Sequence, residues 1–143
     1  MSFLLDVNVL LAICWEEMES HETARTWFST NSSKGWSTCS LTEAAFVRIS
    51  MNPKVFPDPA NFREALAVLA ALRTTTGYSF LEQGSPLTES DFPAKTVRGH
   101  KQVVDATLLA LARRHKAQLV SFDKGIGSIA ATPEWKKRLV LLG

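Results

Sequence analysis

Four carboxylates in this 143-residue sequence stand where a purely structural chain gains least from them. Asp6 interrupts the apolar run Leu4-Leu5-Asp6-Val7-Asn8-Val9-Leu10, and Asp123 follows Leu119-Val120-Ser121-Phe122 and precedes Lys124-Gly125. Glu43 closes Ser40-Leu41-Thr42-Glu43 ahead of Ala44-Ala45-Phe46-Val47. Asp105 shares a helical line with Leu109 and Ala112 in a segment that is apolar almost all round. Each has an ordinary alternative. Asp6 suits a helix N-cap, Asp123 a turn, and Glu43 a capping box reaching back to the backbone of Ser40. Asp105 suits the N-cap of a helix starting at Ala106. Asp105 is the hardest to explain that way, because a carboxylate on a core-facing stripe costs several kcal/mol unless it is paired or metal-bound. Taken together, an acidic set without His or Cys suits a hard divalent cation, Mg²⁺ or Mn²⁺, which prefers oxygen donors and retains several waters. Such an ion activates water and stabilises the leaving oxygen of an in-line phosphoryl displacement.

The elements that must position these acids are legible from periodicity. Ser2–Leu5 reads as a short buried strand ended by Asp6, with a helical pattern from about Val9. A second helix spans roughly Ser20–Ser29, with Ala24, Trp27 and Phe28 at core spacing. Gly35 breaks it, Trp36–Cys39 is a candidate strand, and Ser40 opens a helix to about Ser50, ended by Asn52-Pro53. Asp58-Pro59 has the form of an N-cap with proline at the first helical position. The helix it predicts runs to about Arg73 along Phe62, Ala65, Leu66, Leu69 and Leu72. Tyr78–Leu81 is a possible strand and Thr88–Phe92 a helical turn. Gln102–His115 is a helix with Val104, Leu108 and Leu111 on one line, and Gln118–Phe122 and Leu139–Leu142 are strands. Short strands alternating with longer helices predict an α/β fold with a mainly parallel central sheet and helices on both faces. In such sheets ligands bind beyond the carboxyl ends of the strands. Two of the acids end strands, one opens the helix behind the second strand, and one lies early in a late helix, so all four can converge on that rim.

Composition narrows the class. The length fits one domain, residues 1–143, and the 45% hydrophobic content is enough for a core without disulfides. Cys14 and Cys39 form no paired motif, and with three scattered histidines they give no zinc spacing. A reducing cytoplasm is expected. The start lacks a basic n-region, and no apolar run approaches a membrane span of ~20 residues. The net charge of +2 is uneven. Residues 1–94 carry 6 Lys+Arg against 11 Asp+Glu, and residues 95–143 carry 10 against 3. A basic C-terminal third suggests a polyanionic partner, provided the fold gathers its charges on one face.

The segments Leu5-Asp6-Val7-Asn8-Val9-Leu10, Ser40-Leu41-Thr42-Glu43, Gly99-His100-Lys101-Gln102-Val103-Val104-Asp105-Ala106 and Leu119-Val120-Ser121-Phe122-Asp123 resemble, in order and separation, the four signature segments of PIN domains. The first and third look most like VapC-type toxins of toxin–antitoxin pairs. The resemblance implies a PIN-like three-layer sandwich and a metal-dependent endoribonuclease acting on a structured RNA such as tRNA or rRNA. It implies an acidic metal site of Asp6, Glu43, Asp105 and Asp123 holding Mg²⁺ or Mn²⁺, with Asn8 and Ser121 supporting it. Ser121 stands where many relatives have threonine, which keeps the hydroxyl. The segment Lys124-Gly125-Ile126 lacks an aromatic often found there. Asp6, Asp105 and Asp123 would hold the ion, and Glu43 would help hold or polarise the attacking water, leaving 5′-phosphate and 3′-hydroxyl ends. Lys95, Arg98, His100, Lys101 and Lys124 flank two of the motifs and are candidate phosphate contacts. The resemblance also implies a homodimer and a small antitoxin that lays an apolar segment near Trp15 and Trp27. Trp15, Trp27, Trp36 and Trp135 read mainly as core or interface, with base stacking the alternative. Two rival readings are a phosphatase with an aspartyl nucleophile, which wants a second acid where Asn8 stands, and a non-catalytic interaction domain on the same fold.

Overall fold

The computed structural model describes residues 2–84, 86–89 and 91–143. Strand β1 (Ser2–Leu5) ends at Asp6, which caps α1 (Val7–Cys14) by accepting the Val7 N–H at 2.8 Å. That helix starts two residues before the predicted Val9, because the cap rather than the apolar period sets its first turn. Next come α2 (His21–Asn31) and a 3₁₀ turn at Ser32–Lys34, then β2 (Trp36–Thr38) and α3 (Ser40–Ser50).

Helix α4 spans Phe62–Leu72, not the longer segment expected after Asp58-Pro59. Asn61 is its true N-cap, in a reciprocal box with Glu64: Asn61 Oδ1 accepts the Glu64 N–H at 2.8 Å, and Glu64 Oε1 accepts the Asn61 N–H at 3.0 Å. Two orphan donors are satisfied there, and the Asp-Pro pair stays in the preceding turn. On the expected stripe Ala65, Leu69 and Leu72 are buried, but Phe62 and Leu66 face outward.

Strand β3 covers Tyr78–Phe80. The predicted turn at Thr88–Phe92 corresponds to a 3₁₀ turn at Leu87–Glu89, and Ser90 lies outside the described residues. A second 3₁₀ turn at His100–Gln102 leads into α5 (Val103–Arg114), then β4 (Ala117–Ser121), the short helices α6 (Ile126–Ile129) and α7 (Pro133–Lys136), and β5 (Leu139–Leu141). On α5, Leu108 and Leu111 are buried as expected, whereas Val104 is 53% exposed, so the core face begins only at Ala106.

Among the described residues five strands form one sheet in the order β3-β2-β1-β4-β5, and every pairing is parallel. Because strand side chains alternate, β1 sends Phe3 and Leu5 into one core and Leu4 into the other. The first core lies under α1–α4 and includes Trp36, Phe46 and Val120. The second lies under α5–α7 and includes Leu119, Leu109, Ile126 and Trp135. The result is the expected three-layer sandwich. From β1 the chain builds outward through β2 and β3, then crosses back to place β4 on the other side of β1. The order reverses between β1 and β4, which is where a crevice opens at the carboxyl ends. Among the described residues no helix is long and apolar enough to cross a membrane.

Candidate active site

Asp6 and Ser121 end the two strands that flank this reversal. The Ser121 hydroxyl donates to Asp6 Oδ2 at 2.7 Å, while the Asn8 amide donates to the Ser121 oxygen at 3.0 Å. Asn8 Oδ1 accepts the Phe122 N–H at 3.2 Å, and Ser121 Oγ accepts the Asp123 N–H at 3.0 Å. Asn8 and Ser121 therefore tie the end of β1 to the end of β4. Asp6 is 5% exposed. Burial pushes its carboxyl above the ordinary range; Ser121 and the Val7 N–H pull it back, and Asp123 pushes it further up. The buried Ser121 hydroxyl serves three neighbours, so Ser121→Ala is expected to destabilise the fold by about 1.5–3 kcal/mol, the value of a hydrogen bond to a charged group. Urea unfolding at neutral pH measures it.

Asp105 lies in the first turn of α5, which starts at Val103, so it is not the N-cap of a helix beginning at Ala106. Among the described residues its carboxylate has no hydrogen-bond partner. Burial pushes it up to about 6, and the charges of Asp6 and Asp123 act in the same direction. Asp123 is exposed and accepts the Gly125 N–H at 2.8 Å, so it does form a turn. These three acids, which come from two strand ends and one helix start, thus share one electrostatic neighbourhood.

Glu43 is held differently. The capping box to Ser40, its ordinary alternative, is absent: Cys39 is the N-cap, and Thr42 at the third helical position closes the box, its hydroxyl accepting the Cys39 N–H at 3.1 Å. Glu43 instead accepts from Thr38 and Tyr78, and Arg73 stands 4.0 Å away. Sequence reasoning missed Thr38, Tyr78 and Arg73, since neither their residue types nor their spacing marks them. Burial pushes the Tyr78 hydroxyl above its usual range; the Thr38 hydrogen bond lowers it and the Glu43 charge raises it again.

Lys95, Arg98, His100, Lys101 and Lys124 are all exposed, and none has an ion-pair partner among the described residues. Lys101 lies in the turn leading into α5, four residues before Asp105, and Lys124 directly follows Asp123 after β4. The rest of the basic third is not gathered there: Lys116 precedes β4, and Lys136, Lys137 and Arg138 precede β5, at the amino ends of those strands. The tryptophans are largely structural. Trp36 and Trp135 are buried, Trp27 sets its ring edge-on to Phe3, and Trp15 stacks on Phe46 while donating to Ser50.

Among the described residues no three His, Cys, Asp or Glu side chains stand close enough together to enclose a metal ion. The donor chemistry nevertheless fits Mg²⁺ or Mn²⁺. Mg²⁺ is ordinarily bound through one or two carboxylates with its remaining positions filled by water, so it needs no closed protein cage.

Comparison with known proteins settles the lineage. The PIN domain family model matches residues 3–131. The chain belongs to the PIN-domain family. It is 46% identical to ribonuclease VapC38 of Mycobacterium tuberculosis over 127 residues, 89% of each chain. It is also 35% identical to ribonuclease VapC44 of the same species across 99% of this chain and 100% of that one. Solved structures of similar fold include VapBC2 of Rickettsia felis bound to a promoter DNA fragment, with a TM-score of 0.62 at 11% identity and full coverage of both chains. Another is M. tuberculosis VapC20, described as a sarcin-ricin loop cleaving toxin, with a TM-score of 0.60 at 19% identity, covering 90% of this chain and 93% of that one. The aspartyl-phosphatase reading gives way to this PIN domain of the VapC ribonuclease type.

Proposed function

We propose that this VapC-type PIN domain is a divalent-metal-dependent endoribonuclease and the toxin of a toxin–antitoxin pair, cutting a structured RNA such as tRNA or rRNA and thereby inhibiting translation in the cytoplasm. The observation that carries the reading is Asp105. It is a half-buried carboxylate in the first turn of a helix that it does not cap, without a hydrogen-bond partner among the described residues, and it feels the charges of Asp6 and Asp123. Stability alone does not account for such a group, and a cation does.

In this reading Asp6, Asp105 and Asp123 hold Mg²⁺ or Mn²⁺ directly or through water, while Asn8 and Ser121 keep Asp6 and the Asp123 backbone in place. The ion, when bound, supplies activation of water and stabilisation of the leaving oxygen. Glu43 orients the water that attacks phosphorus in line with the ribose 3′-oxygen. Lys101 and Lys124 draw the flanking phosphates, offsetting the repulsion between an acidic rim and a polyanion.

The antitoxin reading finds support in a groove between α3 and α4 that starts at Glu43 and is lined by Ala44, Val47, Met51, Phe62 and Leu66. Phe62 and Leu66 are the outward-facing residues of the α4 stripe, so an apolar segment laid there gains burial and ends at Glu43. This groove suits the partner better than Trp15, which packs against Phe46 and Phe56. A homodimer accords with the family, and size-exclusion chromatography with light scattering tests it.

The deciding experiment incubates purified protein and total RNA with Mn²⁺, with and without EDTA, alongside a generic phosphomonoester. Cleavage with Mn²⁺ that stops in chelator, with the phosphomonoester untouched, is the expected result. Undiminished cleavage in EDTA overturns the metal mechanism, and intact RNA in every lane points to the non-catalytic alternative.

A further inference from the structure

Glu43 is gripped by one of its two carboxylate oxygens. Thr38, the last residue of β2, donates its hydroxyl to Oε2 at 2.5 Å, and the Tyr78 hydroxyl stands 3.2 Å from the same atom. The two hydroxyl oxygens are 2.6 Å apart. Arg73, the C-cap of α4, brings Nε to 4.0 Å from Oε2 and lays its guanidinium 4.9 Å from the centre of the Tyr78 ring. Oε1 has no hydrogen-bond partner among the described residues.

This grip is built by the fold. The parallel register sets Trp36 beside Tyr78 and Thr38 beside Phe80, so Thr38 and Tyr78 share one face of the sheet. Tyr78 can start there only because Gly77 is glycine. Its φ is +93°, and a Cβ would stand 2.2 Å from the Ser32 carbonyl oxygen. The Tyr78 ring is further held against Trp36, with centroids 4.8 Å apart.

Resting on the ribonuclease reading above, we propose that Thr38, Tyr78 and Arg73 are positioning residues that clamp Oε2 of Glu43 and leave Oε1 as the atom that takes the attacking water. A glutamate near the start of a helix otherwise samples several rotamers, and each wrong one withdraws the oxygen from the water. Two hydroxyl contacts to one oxygen select a single rotamer. The half-exposed Arg73, at 4.0 Å, adds less, as exposed ion pairs do.

The effects should rank by the strength of each contact. Thr38→Val removes a short hydrogen bond to a charged group and is expected to lower kcat about 10- to 100-fold, with KM within about twofold. Thr38→Ser, which keeps the hydroxyl, restores kcat to within about threefold of the parent, and Tyr78→Phe lowers it about 5- to 10-fold. In a Glu43→Gln background Tyr78→Phe adds no further loss, because nothing is left to position, whereas a merely structural role adds its full cost again. A crystal structure of Tyr78→Phe gives a readout independent of turnover, with the Glu43 carboxylate displaced or spread over rotamers. Parental kcat in Glu43→Gln overturns the role given to Glu43 in the ribonuclease site. Parental kcat in Tyr78→Phe and Thr38→Val beside an inactive Glu43→Gln, or an unmoved carboxylate in the crystal, overturns the clamp alone. Should Thr38→Val not fold, Tyr78→Phe and Thr38→Ser decide by the same criteria.

Discussion

Asp105→Asn is expected to reduce RNA cleavage by about a thousandfold or more, corresponding to roughly 4 kcal/mol of lost transition-state stabilisation. The substitution conserves shape, so the argument rests on charge alone. Asp105 accepts no hydrogen bond among the described residues, and α5 begins before it, so an amide disturbs no cap and no network. What it removes is one negative donor from a site whose work is to hold a cation. Asp6→Asn should act in the same direction, although it also alters the hydrogen bond from Ser121, so a loss there mixes charge with geometry. Lys101→Ala is the useful contrast: an exposed cation beside the site should weaken RNA binding, raising KM with kcat little changed, since phosphate contacts position the substrate. In cells, expression of the parent without an antitoxin should arrest growth, and Asp105→Asn should relieve the arrest at equal protein level. Single-turnover cleavage with saturating Mn²⁺ measures the first effect, and a growth curve the second. If Asp105→Asn cleaves and arrests growth like the parent, the acidic set is not the active site.

How much of this was legible beforehand differs from residue to residue. The strand ends were clear, because Asp6 and Asp123 interrupt apolar runs and a parallel sheet brings the residues just past its strands to one rim. Asp105 was legible for the same reason: its neighbours are apolar on nearly every side. Glu43 was placed on the right helix, but its ordinary alternative named the wrong local partner. Ser-x-x-Glu is a capping pattern, and Thr42 competes for that role one residue earlier, which frees Glu43 for Thr38. Tyr78 and Arg73 carry no local signal, because their contact with Glu43 depends on the pairing of β2 with β3 and on the angle at which α4 ends. The helix predicted from Asp58-Pro59 missed its start because Asn61 and Glu64 satisfy two backbone donors that a proline at the first position cannot. The basic C-terminal third suggested one phosphate-binding face, yet the chain divides it between the two ends of the sheet. Charge along a sequence does not carry the direction of the strands it flanks.

The same carboxylate that serves the ion should burden the metal-free fold, with a definite pH dependence. In the folded chain Asp105 is pushed from 3.8 up to about 6, by burial first and by Asp6 and Asp123 next. A shift of that size corresponds to about 3 kcal/mol at 1.36 kcal/mol per unit, and solvent screening of a half-exposed group reduces it to about 1–2 kcal/mol. The folded state holds this proton more tightly than the unfolded state, so the penalty is absent below about pH 4. It grows as pH rises toward 6 and is complete above it. Asp6, raised by burial, contributes with the same sign. In EDTA at pH 7.5, Asp105→Asn should therefore melt about 2–8 °C above the parent, taking 2–4 °C per kcal/mol for a domain of this size. The difference should shrink as the pH is lowered toward 5, where the parent takes up the proton that the amide makes unnecessary. Added Mn²⁺ should reverse the ranking at pH 7.5, because an ion that binds the native parent stabilises it by mass action and gains less from a site missing one charge. Comparing the two proteins at each pH cancels the titration of groups they share. A variant that melts below the parent in EDTA at pH 7.5, with no response to Mn²⁺ in either protein, would make Asp105 a structural residue and remove the cation from this rim.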